Sequence, residues 1–260
     1  MAEGQLAETT VDFANILLSG PCNQRCPYCI GRQMPAHLNR SNLALFPLRN
    51  LDAFADQLRR HRVRQVVLTG TNTDPQLYRH ERELVGWLRS QLPGVQLSLH
   101  TNGQLALARM DVWNRYDKAT VSIPSLDQAT FQAMTGTSRM PDLAAILRAS
   151  AIPVKVSCVI DEPNIGGIDE FLDHCHAIGV RRLVLRQLWG NSYRWTAPPY
   201  LSFVGRYRGN PVYDFRGMEV THWDFESTTS TSLNLFSDGS ISAEYLLAGR
   251  ALLREPGNVR

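Results

Sequence analysis

The chain has 260 residues, of which 43% are hydrophobic and 20% charged, and a formal net charge of +3. That length suits one sizeable core better than two, and the composition excludes a disordered or low-complexity chain. So small a charge excess is no nucleic-acid footprint, although Lys118 and Lys155 are the only lysines and arginine carries nearly all the positive charge.

Residues 1–10 are polar and acidic, without the basic start and apolar run of a secretory signal. No apolar stretch reaches membrane-spanning length, so a cytoplasmic chain is expected. Phe13–Ser19 reads as a strand ending at the turn signal Gly20-Pro21. A helix follows over about Pro47–His61, with Leu48, Leu51, Phe54, Ala55 and Leu58 at helical spacing. The remaining order is strand Gln65–Thr69, helix Leu77–Leu92, strand Val95–Leu99, helix Gln104–Tyr116, strand Ala119–Ile123, helices Asp127–Thr135 and Pro141–Ser150, strand Pro153–Ile160, helix Ile168–Ile178 and strand Arg182–Leu188. Strand–helix alternation of this kind implies parallel pairing through right-handed crossovers.

The pattern breaks at Gly190. Residues 190–230 are rich in aromatics, Pro, Gly and Arg without a clean period, and suit either a pocket wall or a cover for the open side of a barrel. Thr231–Phe236 and Ser240–Ala243 around Asp238-Gly239 read as a hairpin, and the tail after Leu247 as a short helix. The expected fold is therefore α/β: a partial (β/α)6 barrel of the TIM type over about residues 13–189, with a C-terminal cap and hairpin over about 190–260, in a single domain.

Five cysteines are present, and three are clustered as Cys22, Cys26 and Cys29 in a C-x3-C-x2-C spacing directly after the first predicted strand. An odd, clustered set argues for a metal or iron–sulfur site over a disulfide framework. Loops at the carboxyl ends of strands are where parallel barrels place their chemistry. Three thiolates would leave one iron of a cubane open for a ligand. On the residues alone, a Cys3His zinc site with His37 stays open beside that reading.

The spacing C-x3-C-x-aromatic-C, with Tyr28 at the aromatic position, resembles the radical S-adenosylmethionine superfamily. The order of later segments resembles it too. Val66–Leu77 is similar to the family's Gly-Gly-Glu-Pro segment, with Gly70 and Pro75 in place. Here Thr71-Asn72-Thr73-Asp74 replaces Gly-Glu, so that either Asn72 or Asp74 takes the glutamate's position. Leu97–Gly103 is similar to a Thr-Asn-Gly strand end containing Asn102, and Val121–Gly136 to the fourth-strand region of the molybdenum-cofactor cyclase group, with Ser122 at the serine that contacts a carboxylate. Pro153–Ile160 and Leu183–Gln187 are similar to that group's fifth and sixth strands, bringing in Ser157 and Arg186.

The resemblance implies a [4Fe–4S] cluster on Cys22, Cys26 and Cys29. It also implies S-adenosylmethionine beside Tyr28, Gly70, Asn72, Asp74, Asn102, Ser122, Ser157 and Arg186, and flavodoxin or ferredoxin as reductant. The expected reaction is reductive cleavage of S-adenosylmethionine to a 5′-deoxyadenosyl radical, which abstracts hydrogen from a small-molecule substrate. No cysteine follows Cys175, so a second all-cysteine cluster is not expected, nor a corrinoid or peptide-recognition domain. A peptide, protein or nucleotide substrate is the alternative within the family, and a non-catalytic metal-binding or adaptor protein the alternative outside it. Cys158 is expected as a buried apolar residue, with donation of a hydrogen atom as its sharper reading.

Overall fold

The computed structural model describes residues 11–190 and 194–244. The expected tail helix lies outside them. Six parallel strands form as the alternation predicts: β1 (Phe13–Leu18), β2 (Gln65–Gly70), β3 (Gln96–Thr101), β4 (Lys118–Ser122), β5 (Val154–Ile160) and β6 (Arg182–Gln187). The sheet does not stop there. It has eleven strands in the order β11-β10-β1-β2-β3-β4-β5-β6-β9-β8-β7, where β7 is Ser202–Tyr207, β8 Asn210–Phe215, β9 Met218–Trp223, β10 Ser232–Leu235 and β11 Ile241–Ser242. β10 pairs in parallel with β1, and β9 in parallel with β6. The partial barrel is thus extended to eight parallel strands, with an antiparallel strand or ribbon at each end.

The expected hairpin is real, because β10 and β11 pair antiparallel, but its first strand also enters the barrel. Buried Asn15 and Asn234 lock that register: the Asn15 amide donates to Asn234 Oδ1 at 2.7 Å, and the Asn234 amide donates onward to the Ser242 carbonyl at 3.2 Å. A one-residue slip would turn both amides away from their partners.

Helices cover the outer face. They are α1 (Leu51–Arg60), α2 (Glu81–Gln91), α3 (Met110–Trp113), α4 (Gln128–Thr135), α5 (Leu143–Ala149), α6 (Glu162–Ile165) and α7 (Ile168–Ala177). Leu51, Phe54 and Leu58 of α1 and Leu84 and Leu88 of α2 recur one turn apart and bury against Ile16, Leu68 and Leu97. Several helices start later than expected: α2 begins at Glu81 and not at Leu77, because Tyr78 is extended after a 3-10 turn at Pro75–Leu77, and α5 begins at Leu143 and not at Pro141. Asn50 holds a left-handed conformation (φ 55°), so α1 begins at Leu51 and not at Pro47. The expected helix over 104–116 shrinks to a 3-10 turn at Leu107–Arg109 and the single turn of α3, because Arg109 is drawn across to the buried Glu81 and the Gln76 carbonyl. α4 keeps its expected ends: Asp127 accepts from the Thr130 N–H at 2.8 Å, and Gly136 (φ 67°) closes it.

Strand alternation sends one set of side chains to the helices and the other to the concave face. Leu97, Leu99, Ala119, Val121, Val156, Cys158, Leu183 and Leu185 lie in the core. Their neighbours Ser98, His100, Lys118, Thr120, Ser122, Lys155, Ser157 and Arg186 therefore face inward. No helix among the described residues is long and apolar enough to cross a membrane.

Candidate active site

The residues expected to hold the cluster and S-adenosylmethionine lie at or just beyond the carboxyl-terminal ends of parallel strands, on one rim, except Ser157, which lies midway along β5 level with the end of β4. The cysteine loop leaves β1; Gly70, Asn72 and Asp74 leave β2; Asn102 ends β3; Ser122 ends β4; Ser157 lies on β5 and Arg186 on β6. Ser122 and Ser157 are register partners, and the Arg186 Nε–H donates to Ser157 Oγ at 2.9 Å.

Cys22, Cys26 and Cys29 lie close together in the loop, and two of the thiols are shifted. Burial pushes the Cys26 thiol up to about 11, with Cys29 and Cys22 adding to it, and burial with Asp74 and Cys29 raises Cys22. Ionising three such thiols together is costly unless a cation or cationic cluster is held among them. Among the described residues no three His, Cys, Asp or Glu side chains close on a point that would hold a single ion. His37, the residue weighed as a fourth zinc ligand, lies near Asp238. A cubane cluster takes each thiolate on a different iron, so this donor set fits it.

Tyr28 leans from the loop toward the end of β5, near Cys158 and Asp161, and burial holds its hydroxyl well above the usual range. The loop is anchored at its far side, where the Arg25 N–H donates to the Thr135 carbonyl at 2.7 Å. Gly136 allows that approach: a Cβ there would lie 3.0 Å from the Arg25 Cβ.

The segment after β2 is committed internally. Asp74 is 3% exposed. Its Oδ1 accepts from the Gln76 N–H at 2.9 Å, its Oδ2 from the Asn102 N–H at 2.6 Å, and both accept from the Thr101 hydroxyl. Asn72 Oδ1 accepts from Ser19 Oγ at 2.7 Å, the Gly20 N–H at 3.0 Å and Thr71 Oγ1 at 3.3 Å. Gly70 must be glycine, since a Cβ would lie 1.8 Å from the Thr73 carbonyl oxygen.

Cys158 sits on the helix side of β5, wholly buried, its Sγ donating to the Pro124 carbonyl at 3.3 Å. Burial raises its pKa and pushes Cys175 up to about 12. Facing away from the concave side, Cys158 is placed as a core residue and not as a hydrogen donor to anything bound there.

The sequence reading missed the charge of the concave face. Lys155 lies beside Arg186, Arg182 and Lys118, and burial together with those cations draws its pKa down to about 7. His100 is held below its ordinary value by burial and then by Lys155, Arg186 and Lys118. Glu219 offsets one cation, pairing with Arg182 at 2.9 Å. The Ser98 hydroxyl, 1% exposed, has no partner among the described residues. Trp223, the register partner of Arg186, presents its ring to the guanidinium at 6.0 Å, and its buried indole N–H is also unpartnered among the described residues. The available signal was that Lys155 falls on the predicted strand Pro153–Ile160 at the position alternate to Ser157, while Lys118 directly precedes the predicted strand Ala119–Ile123.

No protein-family model matches the chain. It is 32% identical over 203 residues to a protein named GTP 3′,8-cyclase from Mycolicibacterium smegmatis, an alignment covering 72% of this chain and 54% of that protein. It is likewise 32% identical over 206 residues to GTP 3′,8-cyclase 2 of Mycobacterium tuberculosis, covering 74% and 56%. The chain thus spans about half the length of the curated relatives it matches. Among solved structures it is similar in fold to Streptococcus suis SuiB bound to the precursor peptide SuiA, with a TM-score of 0.55 and 17% identity over 69% of this chain and 40% of that one. SuiB bound to S-adenosylmethionine aligns with a TM-score of 0.52 and 14% identity over 71% and 41%.

Proposed function

We propose that this chain, which belongs to the radical S-adenosylmethionine superfamily, is an enzyme that holds a [4Fe–4S] cluster on Cys22, Cys26 and Cys29 and works with S-adenosylmethionine on a small anionic substrate. When both are bound, these cofactors supply one-electron cleavage of the sulfonium and a 5′-deoxyadenosyl radical that takes a hydrogen atom from the substrate. The chain's own residues bind, orient and shield. Tyr28 walls the cofactor side of the rim, while Ser122, Ser157, Asn102 and the backbone at Gly70 offer hydrogen bonds around the mouth. Arg186, whose Nε–H donates to Ser157 Oγ, places a fixed positive charge beside the mouth that favours a carboxylate or phosphate. Flavodoxin or ferredoxin is the proposed electron source.

The observation that carries the reading is the placement of three clustered thiols beside the carboxyl-terminal ends of the neighbouring parallel strands, above a concave face that holds cations and donors unpartnered among the described residues. Half-buried cations with so little acidic compensation disfavour an apolar substrate. The names of the relatives favour a nucleotide, whose phosphates match Arg186 near the rim and Lys155 deeper in the concave face. The peptide reading has no comparable support, because SuiB matches at 17% identity and speaks for the fold alone.

The test is anaerobic. The chain is reconstituted with iron and sulfide, both are quantified, and 5′-deoxyadenosine is sought by mass spectrometry after adding S-adenosylmethionine and dithionite, with and without GTP. About four irons and four sulfides per chain are expected, with 5′-deoxyadenosine formed by the wild type and abolished in Cys26→Ala. Zinc in place of iron, or a loaded cluster that yields no 5′-deoxyadenosine, overturns the enzyme reading in favour of a metal-binding or adaptor protein.

A further inference from the structure

The loop from Gly20 to Gly31 carries all three cluster cysteines, yet it has little backbone hydrogen bonding of its own. The Cys29 N–H donates to the Cys26 carbonyl at 3.2 Å in its last part. In its first part the internal contacts are made by the thiols themselves, with the Gln24 N–H donating to Cys22 Sγ at 3.4 Å and Cys26 Sγ to Gln24 Oε1 at 3.5 Å. The other bonds to that part come largely from the segment that departs from the family's Gly-Gly-Glu. Asn72 Oδ1 receives the Gly20 N–H and the hydroxyl of Ser19, which is wholly buried. The Thr73 hydroxyl donates to the Pro21 carbonyl. The Thr71 carbonyl lies 3.8 Å from Cys29 Sγ as its hydrogen-bond acceptor. At the other end of the loop Gly31 packs on Asn72 so closely that a Cβ would lie 2.4 Å from the Asn72 Cβ. One side chain therefore grips the loop where it begins and seats it where it ends.

A second link runs through Asp74. Its carboxylate fixes the Asn102 N–H, and the Asn102 side-chain amide donates to Asn23 Oδ1 at 2.7 Å, between Cys22 and Cys26. Both residues are engaged within the protein. An amide oxygen has two lone pairs, and the Ser19 hydroxyl and the Gly20 N–H fill both on Asn72 Oδ1. The Asp74 oxygens take the Gln76 and Asn102 N–H groups and the Thr101 hydroxyl, and at 3% exposure the carboxylate is buried away from a ligand at the rim.

We infer that in this chain Asn72 and Asp74 are positioning residues for the cluster loop, and that they have left the task of contacting the amino group of S-adenosylmethionine to other atoms of the rim. Thr71-Asn72-Thr73 forms a brace beneath the loop, and Asp74 with Asn102 a strut to its middle. The inference rests on the cluster reading above. It goes further in assigning these residues to retention of the cluster and not to affinity for S-adenosylmethionine.

The experiment compares anaerobically reconstituted full-length wild type, Asn72→Leu, Asn72→Asp and Asn23→Ala. Three readouts are taken: the rate at which a strong iron chelator bleaches the cluster absorbance, the dissociation constant for radiolabelled S-adenosylmethionine per loaded cluster, and the electron paramagnetic resonance spectrum of the reduced cluster. Asn72→Leu leaves buried donors unpaired and is expected to lose its cluster about tenfold faster or more. Asn72→Asp keeps the acceptor and is expected to stay within about threefold of wild type. Asn23→Ala cuts only the strut and is expected to fall between them, with affinity for S-adenosylmethionine in the loaded fraction unchanged. Should Asn72→Leu fail to fold by circular dichroism, Asn23→Ala and Asn72→Asp still decide. The opposite split, in which Asn72 variants keep the cluster at the wild-type rate but lose about tenfold or more in affinity, overturns the brace alone. A wild type that takes up no cluster overturns the enzyme reading itself.

Discussion

The parallel core β1–β6 and the antiparallel ribbon β7–β9 are built on different principles. In the core each strand shows its neighbours one apolar face: Leu183 and Leu185 of β6 are buried on the helix side while Arg182 and Arg186 point inward. The ribbon is covered only at its inner part, where α7 sets His176 against Phe215 at 6.0 Å and pairs Asp173 with Arg216 at 2.8 Å. Its edge strand β7 is exposed along nearly its whole length, with Phe203 at 60% and Val204 at 61%. Even so, the ribbon sets β9 beside β6 and Trp223 beside Arg186. The core carries the buried apolar packing and the cysteine loop, while the ribbon places Trp223 along the concave face; under the proposed function these become the cofactor side and the substrate wall. Specificity can therefore drift in the ribbon without endangering the fold.

The largest effect expected to test that division is on stability. Leu185→Ala removes a wholly buried side chain and should cost about 2–5 kcal/mol. Val204→Ala should stay within about 0.5 kcal/mol. Denaturant unfolding of both checks this, and a Val204 variant as damaging as the Leu185 variant would break the comparison. Next in size, Lys155→Met should weaken binding of GTP by about tenfold or more at pH 6.5, where the wild-type lysine is mostly charged. S-adenosylmethionine affinity should stay unchanged, as equilibrium dialysis with each ligand would show. Trp223→Leu should raise the KM for a nucleotide substrate by about three- to tenfold, with Trp223→Phe restoring part of it. An unaltered KM in Trp223→Leu would make the ribbon mere cover.

The smallest effects are pH dependences. An anion bound beside Lys155 favours its charged form, so affinity should be level below pH 7 and decline as pH rises through about 7. Without ligand the sign runs the other way. The folded pKa of Lys155 lies below its unfolded value, so the unfolded chain binds more protons above pH 7. The stability of wild type relative to Lys155→Met should therefore climb from pH 7 to pH 9, as thermal unfolding in matched buffers would reveal.

The six core strands were legible because buried parallel strands are short apolar runs bounded by turn residues. β7 was not, because Ser202–Tyr207 has no buried face to impose a period and carries a bulge between Phe203 and Gly205. β8 begins Asn210-Pro211, which reads as a turn. The cysteine loop was legible because ligands to a single cluster can sit close together in one loop. The cation-lined concave face was not, because Lys118, Lys155, Arg182 and Arg186 meet only across strand registers. The choice between Asn72 and Asp74 looked like a question of alignment. The hydrogen bonds show each side chain already occupied.

Sequence alone determined the order of strands and helices, the clustering of Cys22, Cys26 and Cys29 in one loop, and the rim on which that loop sits. All three follow from local periodicity and from the rule that loops after parallel strands share one end of a barrel. Tertiary structure decided the rest: the entry of β9 and β10 into the sheet, the inward turn of the lysines, the burial of Cys158 on the helix side, and the commitment of Asn72 and Asp74 to the loop above them. Each depends on which distant residue lies within about 3 Å of a polar atom, and pairing at that range is set by register and packing across the fold.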